Sequence, residues 1–96
     1  MENQERNQSM NITLSDEAMA KMQDIIMGQL AVPREQVTSE AAIVEDLGAD
    51  SLDVVEISLK VEETFDVTIS EERLDRIGTF GDLCEELGML LAKVQT

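Results

Sequence analysis

Apolar residues recur at steps of three and four in three separate stretches of the chain. This spacing places the apolar side chains along one side of an α-helix, where they can pack against other helices. The stretches predict helices over about residues 15–30, 50–65 and 80–94. Because 96 residues have room for only one small core, these helices must share it.

Capping signals predict where the helices begin and end. Three pairs of side chains have the spacing of a capping box: Thr13 with Asp16, Asp50 with Asp53, and Thr79 with Asp82. Pro33 ends the first helix. Ser70 can cap a short third helix, since Glu71 and Glu72 then lie at the positive end of its dipole, and Gly78 ends it. We therefore predict an all-α four-helix bundle with three longer helices and one short third helix.

The second predicted helix has more apolar surface than a helix at the edge of one core needs. One stripe consists of Val54, Ile57, Val61 and Phe65. An adjacent stripe consists of Leu52, Val55 and Leu59, with acidic neighbours at Asp53, Glu56, Glu62 and Glu63. A wider core stripe would give the same pattern, but we favour a docking surface for a partner protein.

Two connectors join the longer helices. The first, residues 33–50, carries apolar residues that predict anchoring to the core: Val37, Ala41, Ala42, Ile43, Val44 and Leu47. The second, residues 65–69, alternates like a strand but has no partner strand, so we expect an extended connector. The polar residues 1–12 predict a flexible lead, and residues 13–96 a single domain.

The charge balance and the missing residue types exclude several classes of function. The chain has 21 acidic and 7 basic residues, a net charge of −14, and no histidine. Phosphate backbones and anionic membranes repel such a chain, whereas a basic protein partner attracts it. Without histidine, Ser–His and Cys–His catalysis and imidazole metal sites are ruled out. Cys84 has no internal disulfide partner, and we expect it to be a small core residue.

Charge is concentrated in one half of the sequence. Residues 45–86 carry 14 acidic against 3 basic side chains. Repulsion between such surfaces favours a monomer. Since no apolar run has the length of a membrane span, and the first residues do not resemble a signal peptide, we expect a cytoplasmic location without membrane insertion.

The segment before the second helix is the most informative for function. Residues 45–53 read Glu-Asp-Leu-Gly-Ala-Asp-Ser-Leu-Asp. Gly48 permits a turn that delivers Ser51 to the amino end of a helix, where unpaired amides favour an anion. Since only ordinary carboxylates neighbour Ser51, a modification site is a better interpretation than a catalytic nucleophile. A simple helix cap is the alternative.

This segment resembles the prosthetic-group attachment motif of acyl carrier proteins, in which Asp-Ser-Leu begins the second helix. The matching residues around Ser51 are Gly48, Ala49, Asp50, Leu52 and Asp53. Helix order and spacing agree over about residues 13–94. The resemblance implies that Ser51 accepts 4′-phosphopantetheine from coenzyme A through a separate phosphopantetheinyl transferase. The thiol of that arm, and not Cys84, then holds an acyl chain as a thioester, and the protein itself is not an enzyme.

The resemblance also implies partners and a cargo. Enzymes of acyl transfer and chain elongation would present basic patches to Leu52, Val55, Glu56, Leu59, Glu62 and Glu63. The acyl chain would fold back between the helices. Gly-Ala-Asp-Ser-Leu-Asp most resembles the stand-alone bacterial carriers, so we expect fatty acid biosynthesis.

Several departures from the family pattern keep a second pathway open. Lys60 and Leu74 stand where smaller residues are common, and Ser70 where proline is common. They leave a dedicated carrier for a polyketide, lipid modification or another secondary product as the alternative.

Two other classes of protein are weaker candidates. An acidic calcium-binding regulator is compatible with the charge, but residues 46–50 lack the alternating ligands of an EF-hand loop, and we assign no metal ligands. A serine hydrolase is disfavoured, because Ser51 lies in neither a Gly-x-Ser-x-Gly elbow nor a Ser-x-x-Lys motif.

Overall fold

The structure is a computed structural model that describes residues 14–94. Its α-helices are α1 (Asp16–Leu30), α2 (Ser51–Phe65), α3 (Glu71–Asp75) and α4 (Phe80–Val94). The connector between α1 and α2 also contains a single-turn 3-10 helix, Arg34–Gln36, which the sequence did not predict. Within the described range no β-strand forms, and the predicted bundle with one short third helix is confirmed. The flexible lead predicted for residues 1–12 lies outside the described residues.

The residue that caps α1 differs from the prediction. Ser15 is extended, and its Oγ accepts a hydrogen bond from the Ala18 amide at 3.1 Å. The predicted box between Thr13, which lies outside the described residues, and Asp16 is therefore wrong. Ser15 directly precedes Asp16, whose carboxylate favours the first helical turn because of the helix dipole. At the other end α1 closes on Ala31, which is left-handed with φ 57°.

Helix α3 is a single turn and is shorter than predicted. Ser70 Oγ accepts a hydrogen bond from the Arg73 amide at 3.2 Å, which confirms the predicted cap. The helix ends at Asp75 and not at Gly78, because only one turn of backbone bonds forms. An ion pair between Arg73 and Glu86 joins α3 to α4.

The long connector is fixed to the start of α4. Ala42 and Thr79 form an isolated antiparallel bridge, and the Phe80 amide donates to the Ala41 carbonyl at 2.9 Å. The Gly81 amide donates to the Ser39 carbonyl at 3.0 Å, and a β-carbon at Gly81 would lie only 2.9 Å from that oxygen. Glycine at this position therefore permits the close approach that holds the connector.

Helix α4 begins with the predicted reciprocal cap. The Asp82 amide donates to Thr79 Oγ1 at 3.1 Å, and the Thr79 amide donates to Asp82 Oδ2 at 3.0 Å. Hydrogen bonds from the amides of Thr79 and Gly78 hold the pKa of Asp82 below its ordinary value. This cap fixes the point at which the connector meets α4.

Residues from the helices and from both connectors form the core. Its buried members are Met22, Ile26, Val37, Ala41, Ile43, Leu47, Ala49, Ile57, Val61, Val67, Ile69, Phe80, Leu83, Cys84 and Leu87. The prediction for Val44 is wrong, since 52% of its surface is exposed. Residues 42–48 wind into a turn that places Ile43 and Leu47 inward, so Val44 between them faces outward.

Cys84 is a core residue, as predicted. Its Sγ lies 3.7 Å from Met19 Sδ, and burial raises the pKa of the thiol to about 11. A thiol of this kind stays protonated at neutral pH and is a poor nucleophile. No helix in the described part of the chain combines the length and the apolar character that crossing a bilayer requires.

Candidate attachment site at the start of helix α2

The backbone before α2 is held by a glycine turn. Gly48 has φ 80°, and its amide donates to the Val44 carbonyl at 3.1 Å. A β-carbon at Gly48 would meet nothing within 4 Å, so the left-handed backbone, and not crowding, favours glycine here. The Ala49 amide donates to the Ile43 carbonyl at 3.1 Å, and the Ala49 side chain is buried. The turn therefore anchors the chain immediately before Asp50.

Asp50 and Asp53 cap α2 reciprocally, as predicted. The Asp53 amide donates to Asp50 Oδ1 at 2.8 Å, and the Asp50 amide donates to Asp53 Oδ2 at 3.1 Å. Both carboxylates are thereby occupied with the backbone of the first turn. Their engagement fixes the backbone of the two residues between them, Ser51 and Leu52.

Gln29 of α1 supports this cap, and sequence reasoning missed it. Its Nε2 donates to Asp53 Oδ1 at 3.0 Å, across 24 residues of sequence. This hydrogen bond, followed by that from the Asp50 amide, lowers the pKa of Asp53 from its usual 3.8. A glutamine near the end of a helix carries no signal in the sequence that would identify this contact.

Replacing Asp53 with alanine should lower the melting temperature in a pH-dependent way. Because the pKa of folded Asp53 is lowered, its ionised form stabilises the fold above pH 3.8, and this stabilisation is lost as the pH falls through the folded pKa. We expect a clear difference from the wild type at about pH 7 that is smaller at a pH well below 3.8. Circular dichroism melts measure it. Gln29→Ala should reproduce part of the difference, and an equal difference at both pH values would contradict this role.

Ser51 is the first residue of α2 and is exposed to solvent. Within residues 14–94 no group forms a hydrogen bond with its Oγ. At the first two positions of a helix the amides of Ser51 and Leu52 have no intrahelical carbonyl to reach, so they favour an anion nearby. The hydroxyl is accessible and free of the capping role that Asp50 fulfils, and the capping box holds the backbone that carries it.

The second apolar stripe of α2 lies on the surface. The exposed fractions are 72% for Leu52, 46% for Val55 and 56% for Leu59. These values exclude the alternative of a wider core stripe. The side chains of Glu56 and Glu63 are exposed on the same helix.

Glu62 differs from its acidic neighbours. It is half-buried, and its Oε2 accepts a hydrogen bond from the Ile69 amide at 2.7 Å. This bond holds the connector that follows α2 in its extended form. Glu62 thus serves the fold at the end of the predicted docking surface.

Comparison with known proteins agrees with this geometry. A family profile described as a phosphopantetheine attachment site matches residues 20–87. A curated acyl carrier protein of Syntrophobacter fumaroxidans is 51% identical over 67 residues, covering 70% of this chain and 83% of the relative. The chain belongs to the acyl carrier protein family. A second acyl carrier protein, from Amoebophilus asiaticus, is 47% identical over 73 residues, covering 76% of this chain and 91% of that relative.

A solved acyl carrier protein has the same architecture. The structure of the acyl carrier protein from Enterococcus faecalis is 31% identical, covers 84% of this chain and 99% of its own, and superposes with a TM-score of 0.69. Acyl carrier proteins use 4′-phosphopantetheine as their cofactor and are carriers, not catalysts. Membership also implies partners such as a phosphopantetheinyl transferase and acyl-transfer enzymes.

Proposed function

We propose that Ser51 Oγ is the attachment point of 4′-phosphopantetheine in this acyl carrier protein. The observation that carries the proposal is an exposed hydroxyl, without a hydrogen-bond partner among residues 14–94, at the first position of a helix whose cap is complete. When attached, the arm supplies a thiol that holds an acyl chain as a thioester. The domain that performs this role is residues 13–96.

The residues around Ser51 suit a phosphate ester on its oxygen. The free amides at the start of α2 and the positive end of its dipole stabilise the negative charge. Asp50 and Asp53 hold those amides in place through the capping box, and Gln29 secures Asp53 from α1. Gly48 and the buried Ala49 keep the loop close to the core, so the hydroxyl projects from a rigid support.

The surface of α2 that we propose for docking consists of Leu52, Val55, Glu56, Leu59 and Glu63. Its exposed aliphatic side chains supply apolar contact, and its carboxylates attract a basic patch on the partner. Such contacts form fast, weaken with salt and release readily, as a carrier that visits several enzymes requires. The carboxylate of Glu62 is engaged with the connector, so we leave this residue out of the surface.

For the pathway, we propose fatty acid biosynthesis in the cytoplasm, with the protein acting as a monomer. Its motif, Gly48 to Asp53, supports this over the alternative, a dedicated carrier for a polyketide, lipid modification or another secondary product. Intact-mass analysis of the protein purified from its own cells tests the choice. A series of saturated and partly reduced acyl groups is expected, and a single unusual acyl group would favour the alternative.

Attachment of the arm is tested by incubating the protein with coenzyme A, magnesium and a broad-specificity phosphopantetheinyl transferase. The mass should rise by one phosphopantetheine group for each chain. A hydroxyl that accepts the group in this assay must be exposed, as Ser51 is at the amino end of α2.

Millimolar magnesium should raise the melting temperature without a change in fold. The physical reason is that cations screen repulsion within a chain of net charge −14. Within residues 14–94 no group of three or more acidic or cysteine side chains forms a metal-binding cluster, so we expect sodium chloride at higher concentration to act in the same direction. Thermal melts monitored by circular dichroism measure both effects. A submicromolar calcium affinity with a large conformational change would favour the calcium-binding alternative.

A further inference from the structure

A small cavity lies between α2, α3, α4 and the turn before α2. Its volume is about 20 Å³, which is room for roughly one water molecule. Seven apolar side chains and one hydroxyl line it; the apolar ones include Val54 and Ile57 of α2, Leu74 near the end of α3, and Leu83 of α4. The hydroxyl belongs to Ser58.

Ser58 is the only buried polar side chain in the part of the chain whose burial the structure describes, with 7% of its surface exposed. Its Oγ donates a hydrogen bond to the Val55 carbonyl, one turn back in α2, at 2.7 Å. A hydroxyl has one donor and two acceptor lone pairs. The donor is therefore used, while no group within residues 14–94 donates to the oxygen. Alanine or valine would fill this position without the cost of burying a hydroxyl.

The position of Ser58 on α2 relates it to the attachment site. Ser58 is seven positions after Ser51, so it lies about 10 Å further along the helix and on almost the same side. Val54 and Ile57 line the cavity between these two positions. A chain that enters from the amino end of α2 and runs along this side therefore meets apolar groups first and then the hydroxyl.

Helix α3, which forms the wall of the cavity opposite α2, is the part of the structure that can move. Helix α3 is one turn long, and its Leu74 is only half-buried. Few buried contacts make such a segment open at low cost. An acyl chain can thus enlarge the cavity by displacing α3, while Ser58 on the longer α2 stays in place.

We propose that Ser58 Oγ accepts a hydrogen bond from a hydroxyl on the bound acyl chain, so that Ser58 improves the retention of hydroxyacyl chains relative to unsubstituted ones. The inference rests on the proposed attachment of the arm to Ser51. The cargo that gains from this bond is an acyl thioester with one hydroxyl, because no other side chain that lines the cavity carries a hydrogen-bond acceptor. Unsubstituted chains still bind through apolar contact.

The test compares matched cargoes on the complete protein. A transferase loads Ser51 from the coenzyme A thioesters of octanoate and of 3-, 5- and 7-hydroxyoctanoate. Cleavage of each thioester by hydroxylamine is followed by intact mass, since a chain held inside the bundle shields its thioester. The ratio of octanoyl to hydroxyoctanoyl cleavage rates in the wild type is then divided by the same ratio in Ser58→Ala.

We expect this quotient to lie between about two and ten for at least one hydroxyl position. This is the factor that the net free energy of one hydrogen bond gives. Ser39→Ala, which changes an exposed serine that does not line the cavity, should match the wild type. Ser58→Val serves as a second variant, and melts of both unloaded variants check that they fold. If every position gives the same ratio in wild type and both variants, the proposal for Ser58 is overturned although the carrier function stands. If no cargo is loaded at all, the attachment to Ser51 is what fails.

Discussion

Ser51→Ala should abolish the mass gain that coenzyme A and a phosphopantetheinyl transferase give the wild type. The reason is chemical, because alanine has no oxygen to form the phosphate ester. The substitution should leave the fold intact, since Ser51 is exposed and the cap of α2 is made by Asp50 and Asp53. Intact-mass spectrometry after incubation measures the result, and a melt of the variant confirms folding.

Two matched variants show whether the position of the hydroxyl matters. Ser39→Ala removes another exposed hydroxyl and should be loaded like the wild type. Asp50→Ala keeps Ser51 but removes the side chain that accepts a hydrogen bond from the Asp53 amide. Because the start of α2 is then held less firmly, loading of Ser51 should be slower but should still reach completion. Mass gain by Ser51→Ala, or a wild type that stays unmodified under conditions that load other carriers, would contradict the assignment of Ser51.

The parts of this fold that the sequence predicts are those set by neighbours in the chain. The capping boxes of α2 and α4 join residues three apart, so Asp50 and Asp53 reveal the start of α2 without any tertiary information. The buried stripe of α2 follows from helical periodicity in the same way. The attachment motif is local too, which is why the sequence alone points to Ser51.

The features that the sequence did not reveal depend on contacts between distant residues. Gln29 reaches Asp53 from another helix, and Gly81 permits the approach of Ser39. Ser15 and Thr13 are both possible caps by composition, and only the backbone geometry at Ser15 decides between them. Glu62 has the same local sequence pattern as the acidic residues beside it. Only its hydrogen bond with the Ile69 amide shows that Glu62 stabilises the fold, whereas its neighbours are surface charges.

Replacing Leu52 or Leu59 with serine should lower kcat/KM of a partner enzyme about 30-fold without destabilising the carrier. An apolar anchor at the centre of an interface contributes about 2 kcal/mol or more to binding, which corresponds to roughly that factor. The melting temperature should change little, because both side chains are already exposed to water in the free protein. The phosphopantetheinyl transferase is a suitable partner, since its product is read directly by mass.

Met89→Ser is the matched control for this docking surface. Met89 is an exposed apolar residue, at 43%, but it lies on α4 and not on α2. Its replacement should leave kcat/KM unchanged, whereas a loss equal to that of Leu52→Ser would show that surface apolarity in general, and not the α2 surface, determines the rate.

Glu56→Lys tests the charge of the docking surface. It should lower kcat/KM most at low salt, because the attraction that it reverses is screened as ionic strength rises. A decrease that is independent of salt would mean that Glu56 contributes through packing and not through charge.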